Sequence, residues 1–460
     1  MAVVGAGSAG FSAAITAAEL GARVAIFGYG TIGGTCVNAG CIPSKTLIRA
    51  MEILHHAKTA PRFGGIRVEA EVEDWSETVK MKDELVARLR KSKYEDLLPS
   101  YNSVAYFEGS ASIAEGGVSF KGELVKADKV IVATGASPGT PDIPDFEGIP
   151  HLTSATALEL TQIPKSLLVI GGGYIGCELA QALARAGVKV TVACRSRLLP
   201  ETEPEISEAL TRSFRDEGVI VRDGLTYRGI REVKDGIVLS ATEGDLAVEI
   251  EAEKVLITTG RRPNTEGLGL EEAGIELLPN GGVKVDDYMR TSRADVYAAG
   301  DVTGRDQFVY MAAYGAKLAA GNALNGDTQR YDNSAMPWVV FTDPQVAGVG
   351  LTENGAKEKG LNVRTSVLPL EYVPRALAAR DTRGLIKLVA EAGTDKLLGA
   401  QIMAPEGADS IQTAVLAIKH GLTVKDLAET IFPYLTTVEG LKLAAQTFDK
   451  DVSKLSCCAG

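Results

Sequence analysis

Cysteine is scarce: six in 460 residues are too few to staple a chain of this size, which excludes a disulfide scaffold. Histidine is scarcer still, with only His55, His56, His151 and His420. No Lys/Arg run interrupts a chain whose net charge is −11, and this argues against a nucleic-acid partner. No apolar stretch reaches the roughly 18 residues needed to span a bilayer, and no signal peptide precedes the first motif. A soluble cytoplasmic protein is expected, with no membrane insertion. The balance of 45% hydrophobic and 23% charged residues is that of a globular protein. The length exceeds one ordinary core and sets a prior of about three domains.

What is present centres on Gly33-Gly34-Thr35-Cys36-Val37-Asn38-Ala39-Gly40-Cys41-Ile42-Pro43-Ser44-Lys45. Two cysteines five positions apart are bracketed by glycines, and Leu47, Met51 and Leu54 then recur on one helical face. Pro43 suits a first helical turn. The cysteines are therefore predicted at or just before a helix N-terminus, where the dipole favours the thiolate. Two merely buried thiols are the bland alternative, but packing gives no reason for the glycines or for Ser44-Lys45. The expectation is a redox-active dithiol.

Two glycine turns follow one plan. A short apolar strand leads into Gly5-Ala6-Gly7-Ser8-Ala9-Gly10, then a helical run to Leu20 and a second strand, Arg23 to Phe27. In that context the glycines let backbone amides approach a pyrophosphate at a helix N-terminus. The strand is short for its role, as if chain were missing upstream. An acid is expected at the end of the second strand to bind a ribose, and Gly28 stands there instead. The second copy runs from strand Ser166–Ile170 through Gly171-Gly172-Gly173-Tyr174-Ile175-Gly176 to a helix ending near Ala186 and a strand at 188–193. That strand ends in Cys194-Arg195-Ser196-Arg197, two guanidiniums that match a 2′-phosphate and favour NADPH over NADH. Solvated surface arginines are the alternative, and Arg195 is the stronger candidate of the two.

Between the copies, Asp74 to Leu98 reads as a charged amphipathic helix, with Asp74 and Glu77 spaced as a capping box. Val130 to Val132 is a buried strand leading to Ala133-Thr134-Gly135, and Pro138, Pro141, Pro144 and Pro150 mark a boundary. The apolar-strand and Thr-Gly pattern returns at 255–260, ending at Gly260, so the two halves are internal repeats. Val296 to Ala299 leads into Gly300-Asp301, where an aspartate can hydrogen-bond a ribityl hydroxyl. From Met336 the composition turns toward a mixed α+β module.

Two dinucleotide sites, a C-x4-C dithiol and a returning Ala-Gly-Asp segment together resemble the FAD-dependent pyridine nucleotide–disulfide oxidoreductases, over nearly the whole chain. The resemblance implies an α/β fold with two Rossmann-like dinucleotide-binding domains, for FAD and NADPH, and an α+β C-terminal dimerisation domain. The expected order is 1–150 for FAD, 151–262 for NAD(P)H, 263–335 as a return to the FAD domain, and 336–460 as interface. FAD would be held by Gly5, Gly7, Ser8, Ala9, Gly10, Gly34, Thr35, Lys45, Thr134, Gly135 and Asp301. The pyridine nucleotide would meet Gly171, Gly173, Tyr174, Ile175, Gly176, Glu178, Arg195, Arg197 and Gly260. By the same resemblance Lys45 and Glu178 form an ion pair beside the rings, Tyr174 covers the place where nicotinamide docks, and Cys41 is the thiol nearer the flavin. A homodimer with its active site at the subunit interface is implied. Some relatives carry an N-terminal metal-binding module with its own cysteine pair, and none is expected here.

Disulfide-reducing members use a His-Pro motif to move a proton to a thiol leaving group. This chain has Phe432-Pro433-Tyr434 there, which counts against lipoamide or glutathione. The sequence ends Cys457-Cys458-Ala459-Gly460. Adjacent thiols do not easily close an unstrained disulfide, but two thiolates can hold a soft cation. A prenylation box does not fit these residues, zinc would want further ligands, and inert tail thiols remain an alternative. The expectation is that Hg(II), as thiol complexes, passes from Cys457 and Cys458 of one subunit to Cys36 and Cys41 of the other and is reduced to Hg(0). Tyr434 and Tyr174 would line the site. The runners-up are a dihydrolipoyl dehydrogenase-like or other disulfide reductase, and a non-enzymatic metal-sequestering protein.

Overall fold

The computed structural model describes residues 1–452. It is an α/β fold followed by an α+β module. Ala2–Val4 lies at the centre of a parallel sheet whose strand order is 296–298, 130–132, 2–4, 24–28, 104–108. Its central strands are buried on both faces, which is why they read as unbroken apolar runs rather than alternation. Helices Ser8–Glu19 and Val309–Asn325 pack against each other on one face through alanines, among them Ala9, Ala13, Ala312 and Ala316. Small side chains let the two backbones come close enough for Ser12 Oγ to donate to the Ala313 carbonyl at 2.8 Å.

The second parallel sheet runs 220–222, 189–193, 166–170, 254–257, flanked by helices Tyr174–Arg185 and Pro204–Asp216. Leu167, Leu168, Ile170, Leu210 and Phe214 are fully buried in and around it. Each such side chain contributes about 1.5–3 kcal/mol. The C-terminal module is a five-stranded antiparallel sheet, ordered 337–340, 345–350, 397–404, 385–391, 363–369, and covered by helices Gly407–Lys419 and Glu439–Gln446.

Both glycine-turn helices begin earlier than the sequence predicts, at Ser8 and Tyr174. The last glycine of each motif sits inside the helix: a Cβ on Gly10 would lie 1.9 Å from the Gly5 carbonyl oxygen, and one on Gly176 2.2 Å from that of Gly171. The glycines thus let helix pack directly on strand. The charged helix is Trp75–Arg90 and ends short of Leu98 in a wider turn. Asp74 caps it by accepting the Ser76 N–H at 2.8 Å, in place of the expected exchange with Glu77.

Candidate active site

Cys36 does not precede a helix but lies within one, the short turn Gly34–Ala39, and Cys41 opens the 19-residue helix Cys41–Thr59. Six residues are too few to show periodicity, so the first turn was invisible to pattern reading. Asn38 fixes it: its Nδ2 donates to the Ile32 and Gly34 carbonyls, both at 2.9 Å, and its Oδ1 accepts from Arg90 at 3.1 Å. Both cysteines are free thiols and half-buried.

The pair is electrostatically unequal. The Cys36 thiol hydrogen-bonds to Cys41 and lowers the Cys41 pKa to about 7, with help from the Lys45 ammonium and against the cost of burial. The same interaction raises Cys36. Of the two, Cys41 is therefore the thiol that ionises more readily and Cys36 the one that holds its proton more tightly. Lys45, one turn along the helix, pairs with Glu178 at 2.7 Å. Glu178 is 5% exposed and its other oxygen accepts the Phe341 N–H at 2.9 Å. One carboxylate thus joins the dithiol helix, the second glycine-turn helix and the C-terminal module.

Tyr174, first in its helix, stands in an aromatic group that the sequence did not reveal. Its ring lies 5.6 Å from Trp338 and 5.9 Å from Phe308, and Phe308 stacks on Tyr310 at 5.4 Å. Tyr310 Oη donates to the Pro337 carbonyl, closing the ring of contacts. Tyr94 was also missed. It meets Phe11 edge-on at 4.8 Å and exchanges a 3.4 Å hydrogen bond with Ser8, between the first glycine turn and the cysteine loop.

The first glycine turn touches the dithiol loop. A Cβ on Gly34 would lie 2.6 Å from Gly7 Cα, and Gly34 has φ +67°, so position 34 needs glycine. Ser8, Ala9 and Thr35 border this cradle at the two helix starts. Asn264 pins the Thr134-Gly135 turn: its N–H donates to the Gly135 carbonyl and its Nδ2 to that of Thr134, both at 2.9 Å. Asp301 begins a short turn after Gly300, and its Oδ2 is 3.6 Å from Arg261 Nε, which has no hydrogen-bond partner among the described residues. Burial raises the Asp301 carboxyl and Arg261 opposes this. A glycine cradle at a helix N-terminus, a partly buried carboxylate and an unpaired guanidinium Nε–H, on an arginine whose Nη2 donates to the Ala136 carbonyl, fit a phosphorylated, hydroxyl-rich cofactor such as FAD.

The second turn has the same form. Gly171 at φ +117° faces the Thr258 backbone, while a Cβ on Gly173 would meet open space, so that turn is accessible from outside. Ile175 and Gly176 continue into the helix, and Gly260 carries φ +114° beside Arg261. Arg195 is exposed, whereas Arg197 donates to the Pro200 and Thr202 carbonyls at 2.9 and 2.6 Å. Arg197 is engaged in bracing its own loop, which leaves Arg195 as the more available guanidinium. Tyr434 is half-exposed in the segment between helices Val424–Glu429 and Glu439–Gln446. Cys457 and Cys458 lie outside the described residues. Among the described residues no cluster of three His, Cys, Asp or Glu side chains could hold a metal ion, and no helix is long and apolar enough to cross a membrane.

Residues 1–320 match the family described as pyridine nucleotide-disulphide oxidoreductase, and 336–445 match its dimerisation domain. The chain is 48% identical over 459 residues to a mercuric reductase of Bacillus cereus, covering 100% of this chain and 73% of the relative. It is 46% identical to a mercuric reductase of Streptomyces lividans, covering 100% and 98%. Among solved structures, the HOCl-induced flavoprotein disulfide reductase RclA from Escherichia coli superposes with a TM-score of 0.85 at 29% identity, covering 97% of this chain and 99% of that one.

Proposed function

The chain belongs to the pyridine nucleotide-disulphide oxidoreductase family, and from that premise we propose that it is an NADPH-dependent flavoenzyme that reduces Hg(II) to Hg(0). The observation that carries this reading is the unequal thiol pair, Cys36 in the Gly34–Ala39 turn and Cys41 at the start of the next helix, in a chain that resembles mercuric reductases along its whole length. Residues 1–150 and 263–335 form the flavin part, 151–262 the NADPH part and 336–460 the dimerisation part. Exposed Leu377, Leu416, Ile431 and Leu435 on the last of these supply apolar surface for a homodimer. Thiols kept reduced fit a cytoplasmic setting.

Gly5, Gly7, Ser8, Ala9, Gly10, Gly34 and Thr35 would seat the FAD pyrophosphate, with Thr134, Gly135 and Asp301 along its chain and Lys45 beside its ring. Bound there, FAD would supply two-electron chemistry between the reduced nicotinamide and the metal. Gly171, Gly173, Tyr174, Ile175, Gly176, Glu178 and Gly260 would receive NADPH, and Arg195, with Arg197 behind it, the 2′-phosphate. The substrate is Hg(II) held by two thiolates, delivered by Cys457 and Cys458 of the partner subunit. The Cys41 thiolate attacks first and releases one delivering thiolate. Cys36 then replaces the second, and its proton leaves on the departing sulfur, so charge and atoms balance. Lys45 holds positive charge next to the pair throughout. Tyr434, standing where disulfide reductases carry histidine, borders the metal rather than moving a proton, because forming Hg(0) needs no protonated sulfur.

The test is anaerobic NADPH oxidation with Hg(II) and excess thiol while volatile mercury is collected. One Hg(0) per NADPH is expected. A protein that consumes NADPH with lipoamide but not with Hg(II) would overturn the assignment.

A further inference from the structure

The acid that a dinucleotide site offers to a ribose is missing at Gly28, and another polar group occupies its place. Gly28 ends the strand Val24–Gly28, which pairs with the edge strand Val104–Glu108 in the register Ile26↔Tyr106 and Gly28↔Glu108. Residues 26 and 28 share one face, so Tyr106 on the neighbouring strand points to the side that a residue 28 side chain would use. A Cβ on Gly28 would lie 2.7 Å from both Cε2 and Oη of Tyr106, and 2.6 Å from the Ala6 Cβ. Ala6 belongs to the first glycine turn. The phenol therefore reaches from the sheet edge across the strand end to the turn itself. No side chain fits at position 28 while the phenol is there.

Tyr106 packs beside Ala6 and Val104 and is half-buried. Burial, reinforced by Glu108, holds the phenol above its ordinary pKa, so it stays protonated at neutral pH. A hydroxyl both donates and accepts, as a ribose hydroxyl requires.

We propose that Tyr106 Oη replaces the missing carboxylate as the group that hydrogen-bonds the adenosine ribose of FAD. This rests on the flavoenzyme reading. The glycine and the tyrosine are then one exchange: the carboxylate is absent because the phenol does its work from the adjacent strand.

The test follows FAD release from the holoenzyme as recovered flavin fluorescence, then titrates the stripped chain with FAD and with FMN, which lacks the adenosine ribose. Y106F keeps the ring and loses the hydroxyl, so its Kd for FAD should rise roughly three- to tenfold, the effect of one neutral hydrogen bond. FMN should bind Y106F and wild type alike. Equal FAD affinity in Y106F and wild type, or equal weakening toward FAD and FMN, would overturn the proposal. A wild-type chain that binds neither FAD nor FMN would instead remove the flavoenzyme reading, and this inference with it.

Discussion

Two pairs of cysteines lie among the described residues, and they differ in almost everything but residue type. Cys36 and Cys41 are half-buried at helix starts, with Lys45 beside them. Cys177 and Cys194 are packed under the second glycine turn, where Cys177 Sγ donates to the Gly172 carbonyl at 3.5 Å and the Cys194 Cβ is 3.2 Å from a Cβ built on Gly172. Burial pushes Cys177 up, and Cys194 up to about 12, while Cys41 is lowered to about 7. A thiol becomes a reagent through helix position, a hydrogen-bonding neighbour and a cation, not through being cysteine.

The contrast breaks most visibly on deletion. C41A should lower Hg(II)-dependent NADPH oxidation by on the order of a thousandfold or more, with Cys177 and Cys194 unable to substitute. Measurable turnover above one-hundredth of wild type would erase the distinction. Alkylation by iodoacetamide sharpens it next. Because the Cys41 pKa is lowered, its thiolate persists down to about pH 7 and is lost below, so labelling should be half-maximal near pH 7. Peptide mapping should find Cys194 unlabelled until the protein is unfolded. Lys45→Met removes a cation that favours the thiolate, and should move that half-point upward by about one pH unit. A half-point that stays near 7 would discount the lysine. The smallest effect belongs to the buried pair: C194A should leave mercury turnover intact and lower the holoenzyme melting temperature by about 2–4 °C, as for a modest core truncation.

What the sequence disclosed was local. Gly5 to Gly10 and Gly171 to Gly176 are readable because turn, strand and helix are contiguous. The Lys45–Glu178 pair, now at 2.7 Å, spans 133 positions and was reachable only through family resemblance. Tyr94, Tyr106, Asn264, Arg261 and Trp338 carried no signal, since each reaches the site through sheet order or domain packing. Trp338 illustrates this: it faces Gly348 across two antiparallel strands, and a Cβ there would meet the indole at 2.2 Å. Nothing in the local sequence reveals that this glycine makes room for the ring beside Tyr174. Arg197 shows what position alone leaves out: one nitrogen of its guanidinium is engaged by the Pro200 and Thr202 carbonyls, which no sequence pattern discloses.

The carboxylate at Glu178 has a mechanical consequence. It is riveted to an ammonium on one unit and an amide on another, so sliding either unit away would strand a buried anion, at a cost of about 3–5 kcal/mol. Large rigid-body swings during turnover are thereby discouraged.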